Sequence, residues 1–232
     1  MESLKKFPQV DMDILIDVDQ KEKLKLNELL IFPHGMDGLH IWEAGIVLAR
    51  YLYKNLSLFE GRSVHELGTG VGIAGLTLLK YSKCKEICLS DYKEEILANA
   101  KLNIKKNGFE KDKRVRTLKL DWKDYATVKE TVDFIVGSDI IYIGSPVKEL
   151  ALLLQKMLVV GGMAIINIPD RKSYATEFLE QIDLLGCFEI TTEELTDSFY
   201  VANPLEDKKE GAKHFVGLQE LGFIIYKFKK IK

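Results

Sequence analysis

The chain has 232 residues, is 47% hydrophobic, and sets 33 Lys and Arg against 35 Asp and Glu for a formal charge of -2. That length and apolar content suffice for one sizeable core, and the near-neutral balance leaves no basic footprint for nucleic acid or an anionic membrane. The opening segment lacks the apolar core of a signal peptide and no apolar run reaches the roughly 18 residues needed to cross a bilayer, so a soluble protein of the cytoplasm is expected, with the nucleus left open, and a monomer is the expected state.

Residues 1–60 differ in character from the rest of the chain and read as an N-terminal extension to a core over 61–232, the whole forming a single domain 1–232. "DILIDVDQKEKLKLNELLIF" resembles a hairpin turning at "DQKEK", without the Asn-Gly or Asp-Gly that would make the turn firm. "IWEAGIVLARYLYKN" reads as a helix with Ile41, Ala44, Leu48 and Leu52 on one stripe. From Arg62 onward, short β-branched runs alternate with longer amphipathic ones, the pattern of a parallel sheet wrapped by helices. Strands are predicted over 62–67, 85–90, 114–120, 132–139 and 162–168, with helices over 72–82, 93–107, 145–159 and 171–185 and a short one at 123–130. The helix at 145–159 shows its period clearly in Val147, Leu150, Ala151, Leu154, Met157 and Leu158.

After Leu185 the alternation stops. "CFEITTEEL" and "FIIYKFKK" read as two closing strands with no helix between them, and a last strand without a crossover helix must enter antiparallel. The polar stretch "TDSFYVANPLEDKKEGAKH" between them is too long for a tight turn and reads as a functional or mobile loop.

Cys84, Cys88 and Cys187 form no CxxC pair and read as reduced, buried thiols, while His34, His40, His65 and His214 are scattered without metal-ligand spacing, so no metal is expected.

The chemistry concentrates in "HELGTGVGIAGL", where Gly68, Gly70 and Gly72 follow a strand and precede a helix. Glycines at such a junction allow a tight turn, a positive φ, or a ligand lying against the main chain. The sixth position of the dinucleotide fingerprint falls on Ile73 and fails, and no Lys-Ser or Lys-Thr follows as a Walker loop requires. Glu66 ends the preceding strand and Asp91 the next one, where an acid can accept hydrogen bonds from both ribose hydroxyls. Further strand ends carry Asp121 with Trp122 in "LKLDWKDY", and Ser138, Asp139 and Tyr142 in "VGSDIIY". Ligands of an open parallel sheet lie beyond the carboxyl ends of its strands, so Glu66, Asp91, Asp121 and Asp139 are predicted to converge on one rim. Such a rim repels a phosphate-rich cofactor and suits a cationic one.

The order "ELGTGVG", "LSDY", "LDW", "GSDIIY" resembles the seven-strand S-adenosylmethionine-dependent methyltransferases, a Rossmann-like doubly wound α/β sheet with an antiparallel last strand. "IWEAGIVLARYL" together with the DxxY of Asp139 to Tyr142 resembles methyltransferase family 16, which contains many protein-lysine methyltransferases. The resemblance implies S-adenosylmethionine as cofactor, its methionine end held by Glu66 and the Gly68, Gly70 and Gly72 backbone, its ribose by Asp91, and its adenine framed by Asp121 and Trp122. Ser138 would add main-chain contacts and Trp42 would close the pocket, although a Trp at helical spacing also suits a core. Val71 stands where the family has small or polar residues, and His65 where it has an aliphatic one; His65 is read as a satisfied strand histidine. Asp139 and Tyr142 are the implied catalytic pair, and a protein side chain, a lysine ε-amine before any other, the implied acceptor.

Arginine, histidine, a protein N-terminus or a small molecule remain alternative acceptors; an NAD-dependent oxidoreductase and a catalytically silent binding module are rivals of other classes. Substrate choice is assigned to the acidic hairpin, with Asp11, Asp13, Asp17 and Asp19, and to the segment 195–212.

Overall fold

A computed structural model describes residues 7–31, 35–170 and 174–232. His34 and the first residues of the helix predicted at 171–185 lie outside the described residues. The chain opens with an antiparallel hairpin, β1 (Gln9–Asp17) and β2 (Glu22–Leu29), followed by helix α1 (Glu43–Lys54). The alternating part then runs β3 (Ser63–Leu67), α2 (Ile73–Tyr81), β4 (Glu86–Asp91), α3 (Glu94–Lys106), β5 (Val115–Lys119), β6 (Val132–Ser138), α4 (Val147–Met157), β7 (Leu158–Pro169) and α5 (Tyr174–Leu185). The short helix predicted at 123–130 is a 3-10 turn over Trp122–Thr127. β8 (Phe188–Glu194) and β9 (Phe223–Lys230) close the sheet, with three short helices, α6 (Ser198–Val201), α7 (Lys208–His214) and α8 (Gly217–Glu220), between them.

The seven-strand sheet has the order β5-β4-β3-β6-β7-β9-β8, with β9 antiparallel to both its neighbours and the pairs from β5 to β7 parallel. Strand order reverses between β3 and β6, which opens a crevice at their carboxyl ends. β7 starts earlier than predicted, at Leu158, because the chain leaves α4 directly into it and absorbs Gly161 and Gly162 in a register shift opposite Val132 and Phe134.

Alternate residues of β7 feed two apolar clusters. Ile165 joins the one built from the hairpin, α1, α2 and α3, whereas Ala164, Ile166 and Ile168 join the one built from α4 and α5. The α4 stripe is buried as its spacing predicts. α1 departs from prediction: every residue from Ala44 to Leu52 is buried, not a single stripe. The hairpin and the C-terminal helices cover the face that would otherwise meet water, and Arg50 is the consequence. Fully buried, it donates to the carbonyls of Leu15 (2.9 Å), Tyr200 (2.9 Å) and Ala202 (2.6 Å), stapling β1 and the C-terminal segment to α1.

The stretch predicted as a loop after β8 is therefore packed structure. Asp197 caps α6 by accepting from Phe199 N–H, Asp207 caps α7 by accepting from Lys209 and Glu210 N–H, and Phe215 and Leu218 are buried in the core. Among the described residues no helix is long and apolar enough to cross a membrane.

Candidate active site

A cavity of about 500 Å³ opens at the switch point, bounded by the loop after β3, the ends of β4 and β6, the 3-10 turn after β5, and the segment leading into α1. Gly68, Gly70, Asp91, Asp121, Trp122, Ser138, Asp139, Tyr142 and Trp42 all line it. The turn from β3 into α2 passes through three left-handed glycines. Gly70 is at φ 54°, and a Cβ there would stand 3.1 Å from the Gly38 carbonyl, so the main chain of 35–40 lies directly on the glycine loop.

Two of the predicted residues, Glu66 and Gly72, lie behind the wall. Gly72, at φ 87°, is the N-cap of α2. Glu66 is 3% exposed and accepts from Thr69 Oγ1 (2.7 Å) and Gly75 N–H (3.1 Å), tying the loop to the start of α2. A Cβ on Gly75 would come within 2.6 Å of the Glu66 carboxylate, so this acid needs a bare backbone beside it. Burial pushes Glu66 up to about 7, partly opposed by the Thr69 and Gly75 donors. The predicted rim of four acids is accordingly corrected: Asp91, Asp121 and Asp139 line the cavity, Glu66 does not, and Asp37 joins them.

Asp91 is 5% exposed and is pushed up to about 6 by burial, with Lys93 and Gly70 N–H groups each 3.4 Å from its oxygens. Asp121 caps the following turn by accepting from Lys123 N–H (3.0 Å). Asp139 holds φ 51°, the left-handed region that Asp tolerates better than most residues, and its N–H donates to Asn167 O (3.0 Å). The loop beyond it is folded back by Ser145, whose Oγ donates to Ile140 O (3.1 Å) and accepts from Tyr142 N–H (2.8 Å). Tyr142 stands half exposed at the mouth, its hydroxyl held above the usual phenol range by partial burial and by Tyr92, Asp91, Asp37 and Asp139 around it.

Trp42 is no core residue: it is 37% exposed on the cavity wall, donates from Nε1 to Asp37 O (2.9 Å), and meets His40 edge-on at 5.1 Å. Sequence reasoning missed Asp37, Gly38, His40, Tyr92, Ile96 and Ile140 on the wall. Their signal was adjacency, since they neighbour Trp42, Asp91 and Asp139 in the chain or one turn along α3.

The histidines are not scattered in space. His40 Nδ1 and His214 Nε2 flank the buried Glu28 carboxylate at 2.9 and 2.6 Å, and His65, buried on β3, is 3.0 Å from Glu130. Three of the four acids assigned to substrate steering are locally engaged: Asp11 pairs with Lys106, Asp13 with Lys23, and buried Asp17 accepts from the turn of the hairpin. Among the described residues, neither the hairpin nor 195–212 lines the cavity.

Residues 20–184 match the family model described as lysine methyltransferase. The chain belongs to this family. Within it, the chain is 29% identical over 191 residues to the protein-lysine N-methyltransferase EFM3 of Chaetomium thermophilum, covering 77% of this chain and 55% of that protein. It is 28% identical over 157 residues to the calmodulin-lysine N-methyltransferase of Arabidopsis thaliana, covering 66% and 52%. The chain thus spans about half the length of these curated family members. Among solved structures, that of SMU.776 complexed with SAH shares the fold at a TM-score of 0.60 and 14% identity, covering 89% of this chain and 53% of that one.

Proposed function

We propose that the chain transfers a methyl group from S-adenosylmethionine to a lysine ε-amine of a protein substrate. The observation that carries this reading is one cavity with the glycine loop and Asp91 at its depth and Asp139 with Tyr142 at its mouth. The wall fits the cofactor's chemistry: the backbone is bare where Gly68 and Gly70 approach, a buried carboxylate can accept from a ribose diol, and three further acids favour a cation. Gly68, Thr69 and Gly70 would take the methionine end, Asp91 the ribose, Asp121 and Trp122 the adenine, with Ser138 and Trp42 completing the wall and Glu66 holding the loop from behind.

When bound, S-adenosylmethionine supplies an electrophilic methyl carbon, so the chain's own task is to place a nucleophile and remove its proton. A free lysine amine of pKa about 10.4 is neutral roughly 0.04% of the time at pH 7, a penalty of about 4.6 kcal/mol. Asp139, fixed by its strained backbone, would align the ammonium at the mouth, and Tyr142 would pack beside it while keeping its own proton. The apolar side chains of Ile73, Ile96 and Ile140 on the wall lower the polarity the amine meets and so favour its neutral form, while the open mouth lets the proton leave to water.

The same reading has the enzyme act as a monomer in the cytoplasm, on proteins and not on nucleic acid. Asp139→Asn tests the orienting role: turnover should fall about 10²-fold or more while S-adenosylhomocysteine affinity changes little. Normal turnover would remove Asp139 from the chemistry, and mass spectrometry of the methylated protein would tell lysine from arginine, histidine or an N-terminus.

A further inference from the structure

Glu28 sits at the end of β2 with its side chain fully buried, which is costly for a carboxylate unless donors surround it. One backbone donor and two imidazoles, from the entry of α1 and the end of α7, gather around it. Ile41 N–H donates to Oε2 (2.8 Å), His40 Nδ1 lies 2.9 Å from the same oxygen, and His214 Nε2, at the end of α7, lies 2.6 Å from Oε1. The two imidazoles are themselves neighbours, 5.5 Å between ring centres.

The segment this carboxylate grips is part of the cavity wall. Residues 37–42 contribute Asp37, Gly38, His40 and Trp42 to the wall, yet their only regular structure is a 3-10 turn over Asp37–Leu39. A nearby anchor comes from Glu43, which accepts from Gly217 N–H (3.0 Å) and so also ties the entry of α1 to the C-terminal helices. The Gly38 carbonyl rests on Gly70, so a shift of this segment is felt at the glycine loop.

We propose that Glu28, clasped by His40 and His214, is a positioning residue that holds the Trp42 side of the cavity against the glycine loop, and that the C-terminal helices act on the site through it. This rests on the cofactor occupying that cavity. The same three side chains place donor atoms within 4.8 Å of one another, the arrangement a metal site would show. Their nitrogen-to-oxygen separations of 2.6 and 2.9 Å are direct imidazole–carboxylate contacts. Tetrahedral zinc with bonds of about 2.0–2.1 Å would hold its ligands roughly 3.3 Å apart.

The test uses Glu28→Gln and His214→Ala, the second lying outside the cavity wall. Calorimetry with S-adenosylhomocysteine should show affinity weakened about tenfold in each folded variant, and the KM for S-adenosylmethionine raised by a similar factor while kcat at saturating cofactor stays within about twofold. The chain has two tryptophans, so the same substitutions made alongside Trp122→Phe let Trp42 emission report its own surroundings without any ligand, and it should shift to the red. Unchanged affinity and unchanged Trp42 emission in folded variants would overturn the proposal. So would zinc raising the unfolding midpoint of the wild type but not of Glu28→Gln, since the three side chains would then hold a metal. If the wild type fails to bind S-adenosylhomocysteine, the cofactor reading falls, and the Trp42 emission shift alone decides whether Glu28 positions the wall.

Discussion

Replacing Asp91 by Asn should move stability and ligand affinity in opposite directions. Burial pushes this carboxyl from 3.8 up to about 6, and its hydrogen bonds from the Gly70 and Lys93 N–H groups are long, at 3.4 Å, so they offset only part of the lost hydration. The interval between those two values corresponds to roughly 3 kcal/mol. Because the folded chain holds the proton more tightly than the unfolded chain, the stabilisation is complete below pH 3.8 and is lost as pH rises through about 6. At pH 8 the wild type therefore carries the full penalty of a buried charge. Asn is neutral throughout and keeps an oxygen for the Gly70 N–H. Urea unfolding at pH 8 should find Asp91→Asn more stable by up to roughly 3 kcal/mol, with the gap closing as pH falls toward 4. S-adenosylhomocysteine should bind it about 1.5–3 kcal/mol more weakly, because hydrogen bonds from the ribose to a charged acceptor are lost. A variant no more stable than wild type at pH 8 would refute the electrostatic argument, and one that binds the ligand normally would remove Asp91 from the ribose site.

Glu66, raised to about 7 from 4.5 by burial, should make wild-type stability decline between those pH values, and Glu66→Gln should flatten that part of the profile; superimposable melting profiles from pH 4.5 to 8 would show that Glu66 does not titrate there. Arg50→Met leaves one buried and two partly buried carbonyls without their donor and should destabilise the fold by about 3 kcal/mol, so a loss under about 1 kcal/mol in urea unfolding would mean that water reaches those carbonyls.

The alternating part of the sheet was legible because each strand and helix there obeys a local period, and boundaries fell within a few residues except at β7. The glycine loop, Asp91, Asp121, Ser138 and Asp139 were legible for a related reason: an open parallel sheet gathers its strand ends, so position along the chain implies position in space. Long-range packing has no such periodicity. Nothing near Arg50 announces that a hairpin before it and short helices after it will bury all sides of α1. Glu28, His40 and His214 meet only because the hairpin and α7 cover the same helix entry. The C-terminal helices did carry a local signal that polarity obscured, since Asp207 with Glu210 three residues on is a helix-start pattern and α7 begins there.

The acids of this site set a contradiction that their depths resolve. A carboxylate next to an amine stabilises the ammonium, which is the wrong form for accepting a methyl group. If all four predicted acids stood on the rim, an entering lysine would be held as a cation by every one of them. Asp91 instead lies 5% exposed on the wall and Glu66, 3% exposed, behind it, where burial keeps their ionisation close to balance near neutral pH. Asp37, Asp121 and Asp139 remain on the wall with Tyr142, and of these the proposed function sets Asp139 to work beside a phenol that retains its proton. Under the proposed function Asp139 aligns the ammonium, and the pull of these acids on the amine is opposed by its loss of hydration as the side chain enters the apolar part of the wall. The division also explains why Asp139→Asn and Asp91→Asn should fail in different measurements, the first in turnover and the second in affinity.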